Sequence, residues 1–234
     1  MIAAGARPLS LPLFSILPIE PDAVAGAVLD EVASADWIIF ISTNAVRYGA
    51  PVLSPRWPCG RGPRILCIGR ATRRCAEAFG LRPEPLPDLE EFSSEGLLRL
   101  PELQAAAVSR RRIIIVRGRG GRETLASCLR DRGARVDYLE VYHREAAELD
   151  LAAALVGDRP DLTVVTSVES LTRLATLARE QSQSWIFDVP IIAMSHRIAA
   201  AAADLGFSKP PRVAAEASDD GLFAAIEAAA GGSG

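Results

Sequence analysis

Long apolar runs are missing from this 234-residue chain. None approaches the roughly 18 residues of a membrane-spanning helix, so the sequence predicts no membrane span. The opening MIAAGARPLSLPLF has no charged stretch followed by an apolar one, and no signal peptide is expected. Cys59, Cys67, Cys75 and Cys128 form no C-x-x-C pair, and no His, Cys or carboxylate cluster has metal-ligand spacing. Cys67 falls in a strand pattern and Cys75 in a helical one. Both read as small core residues of a protein kept in a reducing compartment, the cytoplasm. Aromatics make up only 6% of the chain, and basic stretches with so little aromatic interleaving do not form a nucleic-acid platform. Lysine is nearly absent, Lys209 being the one example.

What is present is apolar content of 49%, ample for real cores, in a length that suits one large or two small domains. The net charge of −3 is unevenly spread. Residues 56–135 hold 17 basic and 9 acidic side chains, net +8, and the remainder is net −11. Arginine suits bidentate capture of carboxylates or phosphates. A genome that prefers arginine explains the residue choice, so the clustering carries the information.

The chain is organised around Ile113 to Arg144. Ile113-Ile114-Ile115-Val116 is a buried parallel strand, Gly118-Arg119-Gly120-Gly121 a turn, and Leu125, Cys128 and Leu129 one face of a helix closed by Gly133. Val136 to Tyr142 is the next strand. Free N–H groups at the helix start of such a unit can hold an anion. The glycines match neither G-x-G-x-x-G nor a Gly-Lys-Ser/Thr loop, which excludes Rossmann and Walker readings. Upstream, Arg7 to Ile19 carries three prolines and suits an edge strand or linker. Pro21 to Ser34 is helical, and Trp37 to Ile41 is a strand leading into a helix from Ala45 to Leu53. Pro51 to Pro63 is a loop, Ile65 to Ile68 a strand, and Arg73 to Phe79 a helix.

The plan then repeats. Strands at Leu162 to Val165 and Pro190 to Met194 precede helices at Glu169 to Leu177 and Ile198 to Leu205, and Gly-Gly-Ser-Gly is a flexible end. Ser42 to Ser167 is an offset of 125, Gly69 to Ser195 and Gly80 to Gly206 of 126, and Gly96 to Gly221 of 125. Four landmarks in register predict a duplicated α/β unit with a ligand cleft between its halves. Gly133-Ala134-Arg135 matches Gly5-Ala6-Arg7, but only four residues precede Gly5. The first copy is therefore expected to lack its opening strand and helix.

Ser42-Thr43-Asn44-Ala45-Val46, Ile68-Gly69-Arg70-Ala71-Thr72, Ser94-Glu95, Arg117 to Glu123, Val141-Tyr142-His143-Arg144, Thr166-Ser167 and Ser195-His196-Arg197 follow one another in an order that resembles the uroporphyrinogen-III synthase family. The resemblance runs from Gly5 to Ala228. It implies two similar three-layer, parallel-sheet α/β domains with crossed-over halves, 1–18 plus 143–234 and 19–142, joined by a two-stranded linker. It implies a monomer without cofactor or metal, with hydroxymethylbilane synthase as the supplier of its linear tetrapyrrole substrate.

The implied reaction is cyclodehydration of that tetrapyrrole with inversion of ring D. Tyr142 matches the family's tyrosine proposed as proton donor, and reads equally as a tyrosine packed in the linker. Ser42, Thr43, Asn44, Gly69, Thr72, Ser94, Arg117, Gly118, Gly121, Arg122, Thr166, Ser167, Ser195 and Arg197 match positions that would bind substrate. Ser42 and Thr72 read equally as plain helix caps. Arg122, in the first turn of a helix, is either a carboxylate partner or a solvated residue, and His143 and His196 are surface residues. A two-lobed binding protein for an anionic small molecule, and an inactive shortened synthase, are the competing readings.

Overall fold

A computed structural model describes residues 6–58, 62–85, 94–155 and 159–230. Cys59 and the Gly-Gly-Ser-Gly end lie outside them. The chain divides into two units, Ile16–Glu145 and Met1–Ser15 with Ala146–Gly234.

The first contains all but the outer ends of β1 (Phe14–Pro18) and β5 (Arg135–Ala146), together with α1 (Ala23–Asp30), β2 (Trp37–Phe40), α2 (Thr43–Leu53), β3 (Arg64–Cys67), α3 (Arg70–Ala78), α4 (Ser94–Leu98), α5 (Ala105–Val108), β4 (Arg112–Gly118) and α6 (Thr124–Asp131). The sheet order is β1-β5-β4-β2-β3, and β2 to β5 run parallel. Every residue of β2 and β4 is buried, because helices cover both faces of the sheet. Ile38, Phe40, Ile114 and Val116 pack with Val28, Leu29, Val46 and Leu53 of α1 and α2. Trp37, Ile39, Ile113 and Ile115 pack on the other side with Leu97, Leu125 and Leu129 of α4 and α6. Each such side chain contributes about 2 kcal/mol of hydrophobic stabilisation.

Most element ends shift by one to a few residues from the sequence reading, and two of the differences have a cause in the fold. Strand β5 continues past Tyr142 because β1 pairs with it: Ile19 N donates to Val141 O and Ala147 N to Leu13 O, each at 3.0 Å. Rising numbers in one strand meet falling numbers in the other, so this pair is antiparallel. β1, with Pro18 at its end, takes the sheet edge, where a missing N–H costs least. Pro51, expected to open a loop, sits inside α2. It forfeits one helical hydrogen bond, while buried Ala50 and Leu53 hold the last turn against the core.

The second unit has α7 (Leu151–Ala154), β6 (Thr163–Val165), α8 (Val168–Glu180), β7 (Ile191–Ala193), α9 (His196–Asp204), β8 (Arg212–Val213) and α10 (Asp219–Ala230). Its sheet, β6-β7-β8, is parallel throughout. The order β6-α8-β7-α9 repeats β2-α2-β3-α3, and both copies close their second helix with a left-handed glycine, Gly80 at φ 77° and Gly206 at φ 84°. The copies differ beside the leading strand. β2 lies between β3 and β4, whereas β6 is a sheet edge among the described residues. Ile39 is accordingly fully buried, and its counterpart Val164 is 38% exposed. No helix among the described residues is long and apolar enough to cross a membrane.

Candidate functional site at the carboxyl edge of the first sheet

Helix α2 starts directly after β2 because Ser42 Oγ accepts a hydrogen bond from Ala45 N at 3.0 Å. This satisfies one of the donors a helix start leaves open. Ser167 caps α8 in the same way through Ser170 N at 3.0 Å. Ser195 stands at the equivalent position of α9 and makes no such bond. Ser42→Ala and Ser167→Ala are therefore expected to lower stability by at least about 1 kcal/mol each, and Ser195→Ala by only a few tenths. Urea unfolding of the three variants checks this, and equal losses would refute it.

Tyr142 reaches the same point from β5. Its hydroxyl lies 3.1 Å from Ser42 Oγ. Its ring centroid is 5.9 Å from that of Tyr48, whose own hydroxyl donates to Ile16 O at 2.9 Å. The Tyr142 ring also rests on Gly118, the last residue of β4. Because β2, β3 and β4 are parallel, Ser42, Thr43, Asn44, Gly69 and Gly118 collect at the carboxyl edge of one sheet. That edge is where open α/β sheets bind ligands. Thr166, Ser167 and Ser195 occupy the corresponding edge of the β6-β7-β8 sheet, and Arg197 is exposed in the first turn of α9. Ser94, half-buried, begins α4, and Gly121 is exposed at φ 100°.

Other residues stand elsewhere than the sequence suggested. Thr72 is not a cap: α3 starts from Gly69, and Thr72 lies in its first turn, only 4% exposed. Arg117 is buried, with its guanidinium turned into its own loop. Nε donates to Gly118 O at 3.1 Å, one terminal nitrogen to Gly120 O, and the other to Glu123 at 3.0 Å. Arg122 precedes α6 rather than sitting in its first turn, with a 79% exposed side chain 4.0 Å from Glu95. His196 is exposed, and His143 is partly exposed, its Nε2 2.7 Å from Glu145 Oε1.

Two groups escaped sequence reasoning. Tyr48 joins Tyr142 from α2 across 94 positions, with no local pattern to signal it. The second is the set that holds Arg117. Tyr138 donates to Glu123 at 2.5 Å and lies under Arg117, 4.5 Å from guanidinium carbon to ring centroid. The Glu123 carboxyl is held below its usual range, first by the Tyr138 hydroxyl and then by Arg117. Burial, then the same carboxylate, pushes the Tyr138 phenol up. Here a signal existed: Arg117 falls on the same side of β4 as Ile113 and Ile115, the side packed by α4 and α6, to which Tyr138 also belongs.

Burial pushes the Cys67 thiol up to about 12, so it is no thiolate nucleophile near neutral pH. Among the described residues no group of three or more His, Cys, Asp or Glu could hold a metal. The arrangement at Ser42 and Tyr142 is a hydroxyl pair at a helix start. It can accept a polar ligand and exchange a proton with it.

A family model described as uroporphyrinogen-III synthase HemD matches residues 1–224. Uroporphyrinogen-III synthase of Escherichia coli is 30% identical over 224 residues, covering 92% of this chain and 89% of that protein. The enzyme of that name from Salmonella typhimurium is 34% identical over 202 residues, 82% of this chain and 78% of that one. The crystal structure of uroporphyrinogen-III synthetase from Helicobacter pylori shares the fold with a TM-score of 0.60 at 13% identity, over 94% of this chain and 92% of that one. The chain belongs to the uroporphyrinogen-III synthase family.

Proposed function

We propose that this protein is a uroporphyrinogen-III synthase, a cyclising lyase that converts hydroxymethylbilane to uroporphyrinogen III with loss of water and inversion of ring D. Family membership over residues 1–224 supports the reaction class. The observation that carries the chemistry is the Ser42–Tyr142 hydroxyl pair, 3.1 Å apart at the start of α2. Ser42 Oγ already accepts from Ala45 N, and its own proton is free to go to the Tyr142 oxygen. The phenol proton then points outward, towards a hydroxyl departing as water. The phenolate left behind is stabilised by the Ser42 donor and by the positive end of α2.

Much of the acceleration in such a step comes from holding a flexible ligand folded so that its ends meet. Thr43, Asn44 and Gly69 at the carboxyl edge of the first sheet are proposed to hold substrate carboxylates, and Thr166, Ser167, Ser195 and Arg197 are proposed in the same role within the other unit. Supply by a hydroxymethylbilane synthase, action as a monomer and a cytoplasmic location belong to the same proposal. The test is incubation with enzymatically generated hydroxymethylbilane and separation of the type I and type III isomers. Spontaneous closure yields type I. An excess of type III is expected, and its absence rejects the enzyme in favour of a binding protein.

A further inference from the structure

Tyr142 is on the wrong side of its strand for a regular sheet. From Arg112↔Arg135 to Arg117↔Glu140 the β4–β5 ladder is one to one, and then Gly118 faces Tyr142, so β5 carries an extra residue. Side chains alternate along a strand. Val136 and Tyr138 pack with the α4–α6 core, and Leu139 and Val141 with the α1–α2 core. Strict alternation would return residue 142 to the side of Tyr138. Instead Tyr142 packs with the α1–α2 core, as Val141 does, and meets Ser42 there. A bulge of one residue re-aims a side chain in this way. Arg119 N, donating to Tyr142 O at 2.7 Å, closes it.

The turned ring needs room, and Gly118 supplies it. A Cβ built on Gly118 would lie 2.5 Å, 2.6 Å and 3.0 Å from its three nearest heavy atoms, all of them atoms of the Tyr142 ring. No other neighbour is closer, and the Gly118 backbone is not in the left-handed region. The glycine is therefore there for the ring and not for a turn. We propose that Gly118 and the bulge opposite it form a positioning device. It rotates Tyr142 onto the α2 face and sets its hydroxyl against Ser42, and Gly118 itself need make no contact with substrate. The inference rests on the reading of Tyr142 as proton donor.

Gly118→Ala, Tyr142→Phe, Tyr142→Ala and the two double variants test it, by melting and by steady-state kinetics of type III formation. In the otherwise unchanged chain, Gly118→Ala should lower the melting temperature by about 5 °C, the effect of overpacking a filled site. In the Tyr142→Ala background the obstacle is gone, and the same substitution should cost less than about 2 °C. If Gly118→Ala fails to fold alone but folds with Tyr142→Ala, that too supports the device. An equal cost in both backgrounds, or failure to fold in both, overturns it.

For the rate, Gly118→Ala should lose about 10²-fold in kcat with KM little changed, as Tyr142→Phe does, and the pair Gly118→Ala/Tyr142→Phe should be no slower than Tyr142→Phe alone. Losses that multiply place Gly118 in a separate role and overturn the inference. Tyr142→Phe at full rate removes the tyrosine's chemistry, a different failure, while the melting comparison still decides whether Gly118 positions the ring.

Discussion

Arg117→Ala is expected to lower the unfolding free energy by about 3 kcal/mol, the range for emptying a large buried site. The side chain is 2% exposed, so its desolvation has to be offset locally. Gly118 O, Gly120 O, Glu123 and the face of Tyr138 together do this. Alanine removes the donors from two carbonyls and leaves a void over Tyr138. Arg117→Met keeps the volume and sheds the buried charge, so it should lose less than alanine does. Arg122→Ala, five residues on and exposed, should stay within about 0.5 kcal/mol of the parent.

Glu123 adds a dependence on pH. Its folded-state pKa is depressed. Its contribution is thus present above the ordinary carboxylate value of about 4.3 and is lost as the pH falls through the lowered one. Because the Tyr138 hydroxyl is the larger cause and Arg117 a lesser one, Arg117→Ala should reduce that acid-side loss without abolishing it. Urea unfolding at neutral pH and at pH values below 4.3 measures both effects. Equal stabilities for Arg117→Ala and Arg122→Ala would show that the buried guanidinium is not what shapes the loop.

That contrast between two arginines of one run marks the limit of reading this chain by composition. Arg117 to Arg122 looks like a uniform basic, glycine-rich anion site. Position relative to the strand is what separates its members: Arg117 is still in β4, on the α4–α6 side with Ile113 and Ile115, and Arg122 has left the strand. The elements whose signals are local were legible. β2 and the Ile113–Val116 stretch of β4 are continuous apolar runs because helices cover both faces. Ser42 could be read as a cap because a serine reaches only three residues ahead, whereas Thr72, read the same way, lies inside the first turn of α3. The offset of about 125 residues survived because Gly80 and Gly206 do the same backbone work. The Ser42–Tyr142 contact had no such signal. Its members are 100 positions apart, and the bulge that brings them together depends on pairing between strands and has no composition of its own.

Tyr142→Phe should cut kcat for type III formation by about 10²-fold, the lower end of what a positioned proton donor contributes. Folding should be nearly unaffected. Phenylalanine fills the same space between Gly118 and Tyr48, and Ser42 keeps its capping bond to Ala45 N. The fold loses one hydrogen bond, worth about 1 kcal/mol. Substrate should still bind, because the residues proposed to hold its carboxylates are unchanged, so KM stays close to the parent value. With enzymatic closure slowed and spontaneous closure untouched, the type I share of the product should rise in proportion. Ser42→Ala separates the two hydroxyls. If Ser42 donates to the phenol oxygen and steadies the phenolate, this variant loses rate as well as its cap. If Tyr142 donates to Ser42 instead, removing the serine frees the phenol proton and the rate should hold. An unchanged isomer ratio and rate in Tyr142→Phe would remove the tyrosine from the chemistry altogether, leaving closure to the folding of the substrate alone.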